Sequence, residues 1–406
     1  MNPPIQKILF GSPGTGKSYK IRSIAQEQLG IDFDNLKNSV KTVFHPEYTY
    51  ADFMGKLLPL TQGNNVIYKY YPGHFLKVLG MAYRSIIEEN DERFLLVIDE
   101  LNRGNAAAIF GTVFQLLDRN EGCWSTYEID ISEMELIGLL ESMGYKSSID
   151  AGGKIRVDHN NKLIELEDFC REFMMQEYYN LTVNSVTTLL MERKIKLPHN
   201  LSIIATINTS DESIYYLDSA FKRRWDWEYV DSPNKNSNYP NIPTFILDST
   251  LKINSEDENS KVIDGLIWWM CIVGLNEFIK SNHQAIRRIE DKQIGWWFIK
   301  PRNGVITLKE VEDKLMFYLW DSVFSRDKRP LEEALKEVMR QEVKLITYAD
   351  FIQYTEGLLR FAQSYAEKCG VQRSASMPPF PVSMPPFPGS IPPPPNYSAP
   401  LEPFPI

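Results

Sequence analysis

The chain has 406 residues, enough for about two or three domains, and its 43% hydrophobic and 24% charged residues let most of it bury a core. A net charge of -9 excludes a surface that grips nucleic acid as a whole, so any DNA contact must be local. Four scattered cysteines (Cys123, Cys170, Cys271, Cys369) with no C-x-x-C pair exclude a disulfide framework or a zinc site and fit a reducing cytosol.

The N-terminus, Met1 to Lys7, carries no charged-then-apolar signal pattern. The first strand is predicted at Lys7–Phe10. It runs straight into Gly11-Ser12-Pro13-Gly14-Thr15-Gly16-Lys17-Ser18, a full match to G-x-x-x-x-G-K-[ST], and then into a helix reaching about Leu29. The glycines let backbone amides turn towards phosphates. Lys17 adds positive charge for the β- and γ-phosphates, and Ser18 offers an oxygen to Mg²⁺. Strand, glycine-rich loop and helix in that order mark a nucleoside-triphosphate site rather than a plain glycine turn.

A second apolar strand, Phe94–Ile98, ends in Asp99-Glu100. Such a strand delivers two carboxylates at its C-terminal end, where open α/β sheets bind ligands. Asp99 is suited to hold the magnesium through water, and Glu100 to orient and polarise the attacking water. The stretch of about residues 121–196 reads as an insertion: a helix at Glu133–Met143, a hairpin around Ala151-Gly152-Gly153, and a helix at Glu167–Arg193. A structural or subunit-contact role is the simpler reading, beside a role in reading DNA or a partner.

A third strand, Leu201–Thr206, leads to Asn208, whose amide could bond the lytic water or the γ-phosphate; a turn cap is the plain alternative. Apolar strands alternating with helices indicate a parallel sheet covered on both faces. The segment Leu217 to Trp225 contains Arg223 and Arg224. Consecutive arginines can be a solvated face. In this order they read as arginine fingers, guanidiniums that meet a neighbouring subunit's γ-phosphate and stabilise charge in the transition state. A finger in trans requires a ring, so this segment is the main sequence argument for oligomerisation.

These signals define a core over residues 1–253. A helical lid is expected over 254–373, with Trp268, Trp269, Phe317, Tyr318 and Trp320 in its core. The longest apolar stretch, Gly265 to Leu275, is too short to span a bilayer and reads as a buried helix, so a soluble, cytoplasmic protein with no membrane partner is expected. Residues 374–406 repeat Met-Pro-Pro-Phe-Pro and read as an extended, disordered tether or docking peptide.

Several segments together resemble one family. Asp99-Glu100-Leu101-Asn102-Arg103-Gly104-Asn105 resembles the D-E-I-N-R-G/A-N segment of McrB-like proteins, and Asn208-Thr209-Ser210-Asp211 their N-T-A/S-D motif. Leu217 to Trp225 resembles their L-D-x-A-[FL]-[KR]-R-R-[FW], Phe44 to Gly55 their F-H-P-x-Y-x-Y-x-D-F-x-G block, and Tyr71 to Phe75 the P-G-x-F turn that follows. Asp291 to Gly295 and Leu319 to Asp321 look like the family's lid. The resemblance covers about residues 5 to 330. It implies an α/β fold: an AAA+ P-loop NTPase core with an α+β insertion and a C-terminal helical lid. It also implies a hexameric homo-oligomeric ring that hydrolyses ATP or GTP with Mg²⁺ and drives an McrC-like nuclease subunit on DNA, in restriction and antiviral defence. Asn208 takes the sensor-1 role. Asn102 and Asp211 join the catalytic set as signature residues, although Asp211 could equally cap a helix beginning near Ser213. The best-known relatives use GTP and most AAA+ proteins use ATP, which is favoured here. The DNA-reading domain that often precedes the McrB core is not expected, since the first strand opens the chain. No nuclease-like D…[DE]-x-K cluster stands out, so cutting is assigned to the partner. The alternatives are a MoxR-like AAA+ ATPase remodelling a protein client, or a non-catalytic assembly module, against which the intact Lys17, Asp99, Glu100, Asn208 and arginine set weighs.

Overall fold

The computed structural model describes residues 3–33, 37–63, 65–90, 92–174, 181–208, 215–236, 246, 249–252, 263 and 265–371. Asp211 and the proline-rich tail lie outside the described residues.

Five strands form the central sheet: β1 (Gln6–Gly11), β2 (Ser39–Val43), β3 (Phe94–Asp99), β4 (Leu201–Asn208) and β5 (Asp226–Tyr229). Their order is β5-β1-β4-β3-β2, and every pairing is parallel. Parallel strands need crossovers that cover both faces, so the inner strands bury side chains on both sides and read as continuous apolar runs. Leu9, Leu95, Val97 and Ile204 pack on Ile21, Ile24 and Ala25 of helix α1 (Lys17–Leu29). Their neighbours Ile8, Leu96, Ile98, Ile203 and Ala205 face the opposite core with Val78, Leu79 and Ala82 of helix α2 (His74–Ile87). This alternation is the two-residue period of a strand. Edge strands β2 and β5 are half exposed and carry polar residues, which hides them from an apolar-run reading.

Between β2 and α2 an antiparallel hairpin, Gly55–Gln62 with Asn65–Pro72, exposes Leu57, Leu60, Ile67 and Tyr68. The insertion is closed at its base by pairing of Lys194–Ile195 with Ile129–Asp130. It contains a three-stranded antiparallel sheet, whose turn falls at residues 151–153, and the helix Glu133–Ser142. The single long helix expected at Glu167–Arg193 is two described helices, Leu166–Met174 and Leu181–Met191. Leu139, Leu140, Phe169, Val186 and Leu190 bury into the same core as β3 and β4, so the insertion is built into the body of the protein.

Residues 265–371 have a hydrophobic core of their own, centred on helix α3 (Trp268–Ser281) and helix α4 (Thr355–Lys368). A Cβ at Gly274 would come within 1.8 Å of the Ala362 carbonyl, so glycine is what lets the two helices cross this closely. Trp268 and Trp269 are buried as expected, but Phe317 is 51% exposed. Wide helical turns at Val311–Met316 and Leu319–Val323 shift the phase of this segment, and Leu315, Met316 and Leu319 take the buried positions instead. Among the described residues, no helix is long and apolar enough to cross a membrane.

Candidate nucleotide site

The register brings the chemistry-bearing residues to one edge of the sheet. Gly11 pairs with Asn208, and Val43 pairs with Asp99, so β1, β4, β3 and β2 all end on the same side. Chain order reverses between β1 and β4, the topological switch point at which open parallel sheets bind ligands. A cleft of about 500 Å³ opens there, lined by Gly14 to Ser18, Asp99, Glu100 and Asn208.

The glycine-rich loop follows β1 directly. Gly14 (φ +74°) and Gly16 (φ +91°) occupy left-handed conformations, and α1 starts at Lys17 with its free amides facing the loop. Such a loop at a helix N-terminus is built to receive an anion. The Lys17 ammonium is buried and donates to the carbonyls of Gly11 (2.9 Å) and Ser12 (3.0 Å). Thr15 Oγ1 donates to the Ser12 carbonyl at 3.0 Å, tightening the turn. Ser12 itself is fully buried, and its hydroxyl donates to the Glu290 carbonyl.

The segment that follows Glu290 rests on the loop. Gly295 N donates to the Pro13 carbonyl (3.1 Å) and Trp297 N to the Gly14 carbonyl (2.7 Å). The Trp297 ring covers Gly16 and stacks on Tyr19, with centroids 5.5 Å apart. The fully buried Asn276 of α3 holds this segment: its amide donates to the carbonyls of Pro233 and Ile294, each at 2.8 Å, and its Oδ1 accepts from Ile294 N at 2.7 Å.

At the acidic end, Glu100 adopts a left-handed backbone (φ +54°), uncommon for a residue with a Cβ. Its Oε1 accepts from Asn208 Nδ2, and Arg103 Nε lies 3.6 Å from its Oε2. Asp99 Oδ1 accepts from the Thr206 hydroxyl. The F-H-P-E-Y block supports this end, because Phe44 N donates to the Asp99 carbonyl at 3.0 Å. Phe44 stacks on Tyr48, whose hydroxyl sits 2.8 Å from His74 Nδ1. Burial pushes the Tyr48 phenol up to about 12 and holds His74 below its ordinary value. His45, Tyr48 and His74 line a second cavity of about 540 Å³ that also reaches Ser18 and Asp99.

No protein-family model matches the chain. It is 27% identical over 350 residues to the Type II restriction enzyme BsuMI component YdiS of Bacillus subtilis (strain 168), covering 80% of each chain. Over 114 residues it is 31% identical to the Type IV methyl-directed restriction enzyme EcoKMcrB subunit of Escherichia coli (strain K12), covering 28% of this chain and 23% of that one. The chain is thus similar to restriction-system proteins, one of them an McrB subunit. Superposition on a candidate ATPase from Cytophaga hutchinsonii covers 87% of this chain and 84% of that one, at 12% identity and a TM-score of 0.23, which carries no weight.

The structure brings Lys17, Ser18, Asp99, Glu100 and Asn208 together at one cleft, with Gly11 and Ser12 at the root of the loop. Asn102 lies behind them. It is 4% exposed, its side-chain amide donates to the Asn208 backbone carbonyl at 2.7 Å, and its backbone carbonyl accepts from Tyr215 N at 2.8 Å. Arg223, in the turn after Ser219–Lys222, is exposed and is not among the residues lining the cleft. Arg224 is held differently from Arg223. Its side chain is 8% exposed, bonds Asp118 Oδ2 through Nε (3.0 Å) and Nη2 (2.6 Å), donates to the Ala220 carbonyl (2.8 Å) and lies 3.9 Å over the Phe114 ring. Sequence reasoning missed three participants: Thr206, Arg103 and the segment Gly295–Trp297. A threonine at the end of an apolar strand was a usable signal for the first. The other two depend on where a turn and a distant segment fold back, which no local pattern encodes.

Proposed function

We propose that this chain is the nucleoside-triphosphatase subunit of a restriction system. It would hydrolyse ATP, or GTP, in a homo-oligomeric ring, hexameric by family resemblance, and drive an McrC-like nuclease partner on DNA. The observation that carries this reading is the convergence of Lys17, Asp99, Glu100 and Asn208, from two adjacent parallel strands and one loop, on a single cleft. The restriction-enzyme names of two relatives supply the biological setting.

The triphosphate lies along the loop amides, and Lys17 turns from the Gly11 and Ser12 carbonyls onto the phosphate oxygens. Ser18 and Asp99 border the same cleft and offer two oxygens, a donor set that suits Mg²⁺, which binds few protein ligands and takes the rest from phosphate and water. When bound, Mg²⁺ neutralises charge on the phosphates. Glu100 orients the attacking water and takes its proton. Asn208, which holds Glu100 Oε1 here, sets the position of that carboxylate and faces the γ-phosphate. Asn102 fixes the Asn208 backbone from behind. Asp211 joins this set by family resemblance. Arg223 of one protomer completes the site of the next.

The test is phosphate release by the purified chain with Mg²⁺ and ATP or GTP, alone, with duplex DNA, and with the McrC-like partner. Turnover raised by duplex and partner is expected. Stimulation by a protein client alone would favour a remodelling ATPase. Failure to bind or cleave either nucleotide in all arms would remove the reading.

A further inference from the structure

Thr206 belongs to neither acidic nor glycine-rich motif, yet it touches both acids. It is 1% exposed near the end of β4. The register pairs Ala205 with Ile98, which sets Thr206 beside Asp99. Its hydroxyl donates to Asp99 Oδ1 and accepts from Glu100 N at 3.1 Å. A hydroxyl has one proton and two lone pairs, so a single group can serve both neighbours only in this sense. From Ile203 to Ile207 every other residue of β4 is apolar. A hydroxyl inside such a run costs stability unless it is bonded, and valine would fill the same space without that cost. The polar atom is therefore there for the two acids.

We propose that Thr206 is a positioning residue for the site: its hydroxyl turns Asp99 so that Oδ2 faces the divalent cation, and it pins the left-handed turn that aims Glu100 into the cleft. This inference rests on the nucleotide site proposed above. A carboxylate bonded at one oxygen loses rotational freedom, which raises the fraction of time the other oxygen points at the metal. The backbone at Glu100 is strained, and the bond from its N–H to Thr206 is one restraint that holds it.

The experiment compares full-length wild type with Thr206→Val and Thr206→Ser. Mn²⁺ affinity is read by electron paramagnetic resonance in the presence of a non-hydrolysable ATP analogue, and turnover is read by phosphate release. Thr206→Val should bind Mn²⁺ about tenfold more weakly and turn over about tenfold more slowly, while Thr206→Ser stays within about threefold of wild type, because groups that orient a metal-binding carboxylate carry effects of this size. Affinity for the analogue without metal should not change. If Thr206→Val fails to fold, Thr206→Ala, which cannot overpack the strand, takes its place in the comparison. Wild-type Mn²⁺ affinity and turnover in the valine or alanine variant would overturn the inference, as would a serine variant impaired as much as the valine one, which would assign the effect to the methyl group. A wild type that binds neither the analogue nor Mn²⁺ removes the nucleotide site and this inference together. An active wild type with an unchanged valine variant removes this inference alone.

Discussion

Arg223 and Arg224 differ in what surrounds them, and that difference sets two opposite expectations. Arg224 holds Asp118 through two nitrogens and covers Phe114, and its side chain is 8% exposed. Arg224→Ala should lower stability by about 2 kcal/mol or more, since it leaves a partly buried carboxylate without its partner. Thermal or denaturant melts check this. Arg223 is exposed, so Arg223→Ala should leave stability within about 0.5 kcal/mol of wild type while turnover falls. A mutant that melts like Arg224→Ala would return Arg223 to a structural role. At Glu100, replacement by glutamine keeps shape and hydrogen bonding but removes the base. Nucleotide should still bind, with turnover at least about 10²-fold slower by phosphate release. The loop and acid residues were legible in sequence because phosphate chemistry restricts which residues can stand there. The arginines were not, because adjacent identical residues can have opposite environments and only the packed helix end separates them.

The segment Gly295–Trp297 shows how residues far along the chain come to border the loop. A Cβ at Gly295 would fall 2.0 Å from the Gly14 carbonyl carbon, against backbone that cannot move aside. Gly295→Ala should therefore lift the segment from the loop and break the bonds to Pro13 and Gly14. Nucleotide affinity measured by a fluorescent ATP analogue should fall at least about tenfold, the effect of losing one to two neutral hydrogen bonds. Unchanged affinity would mean the docking does not shape the site. At the start of α2, burial holds His74 below its ordinary 6.5, so the unfolded chain takes up this proton first as pH falls. The stabilising contribution is present above 6.5 and is lost as pH falls through the folded-state value. His74→Gln should flatten the melting-temperature profile below about pH 6.5 and leave it unchanged above. The inner strands were readable because burial on both faces makes them apolar throughout. Edge strands β2 and β5, the exposed hairpin and the phase shift at Phe317 were not, since each depends on which face ends up in water.

Assembly is the expectation that reaches beyond a single chain, and the exposed Arg223 makes it testable. A contact between one protomer's cleft and the next protomer's guanidinium is head-to-tail, and such contacts close into rings when the rotation allows. In a ring of that kind each site takes its loop from one subunit and its finger from another. Lys17→Ala subunits keep a good finger but lose the loop ammonium, and Arg223→Ala subunits keep the loop but lose the finger. Each alone should be inactive. In a random equal mixture about a quarter of the interfaces pair an intact loop with an intact finger, so phosphate release should recover towards that fraction of wild type. Arg224 is left unchanged in this design, because its removal would destabilise the subunit and mimic a lost finger. If the mixture shows no more activity than its two components, Arg223 does not act across subunits. The cleft would then have to complete its charge from within one chain, where Arg103 beside Glu100 and Arg22 at the cleft wall offer guanidiniums.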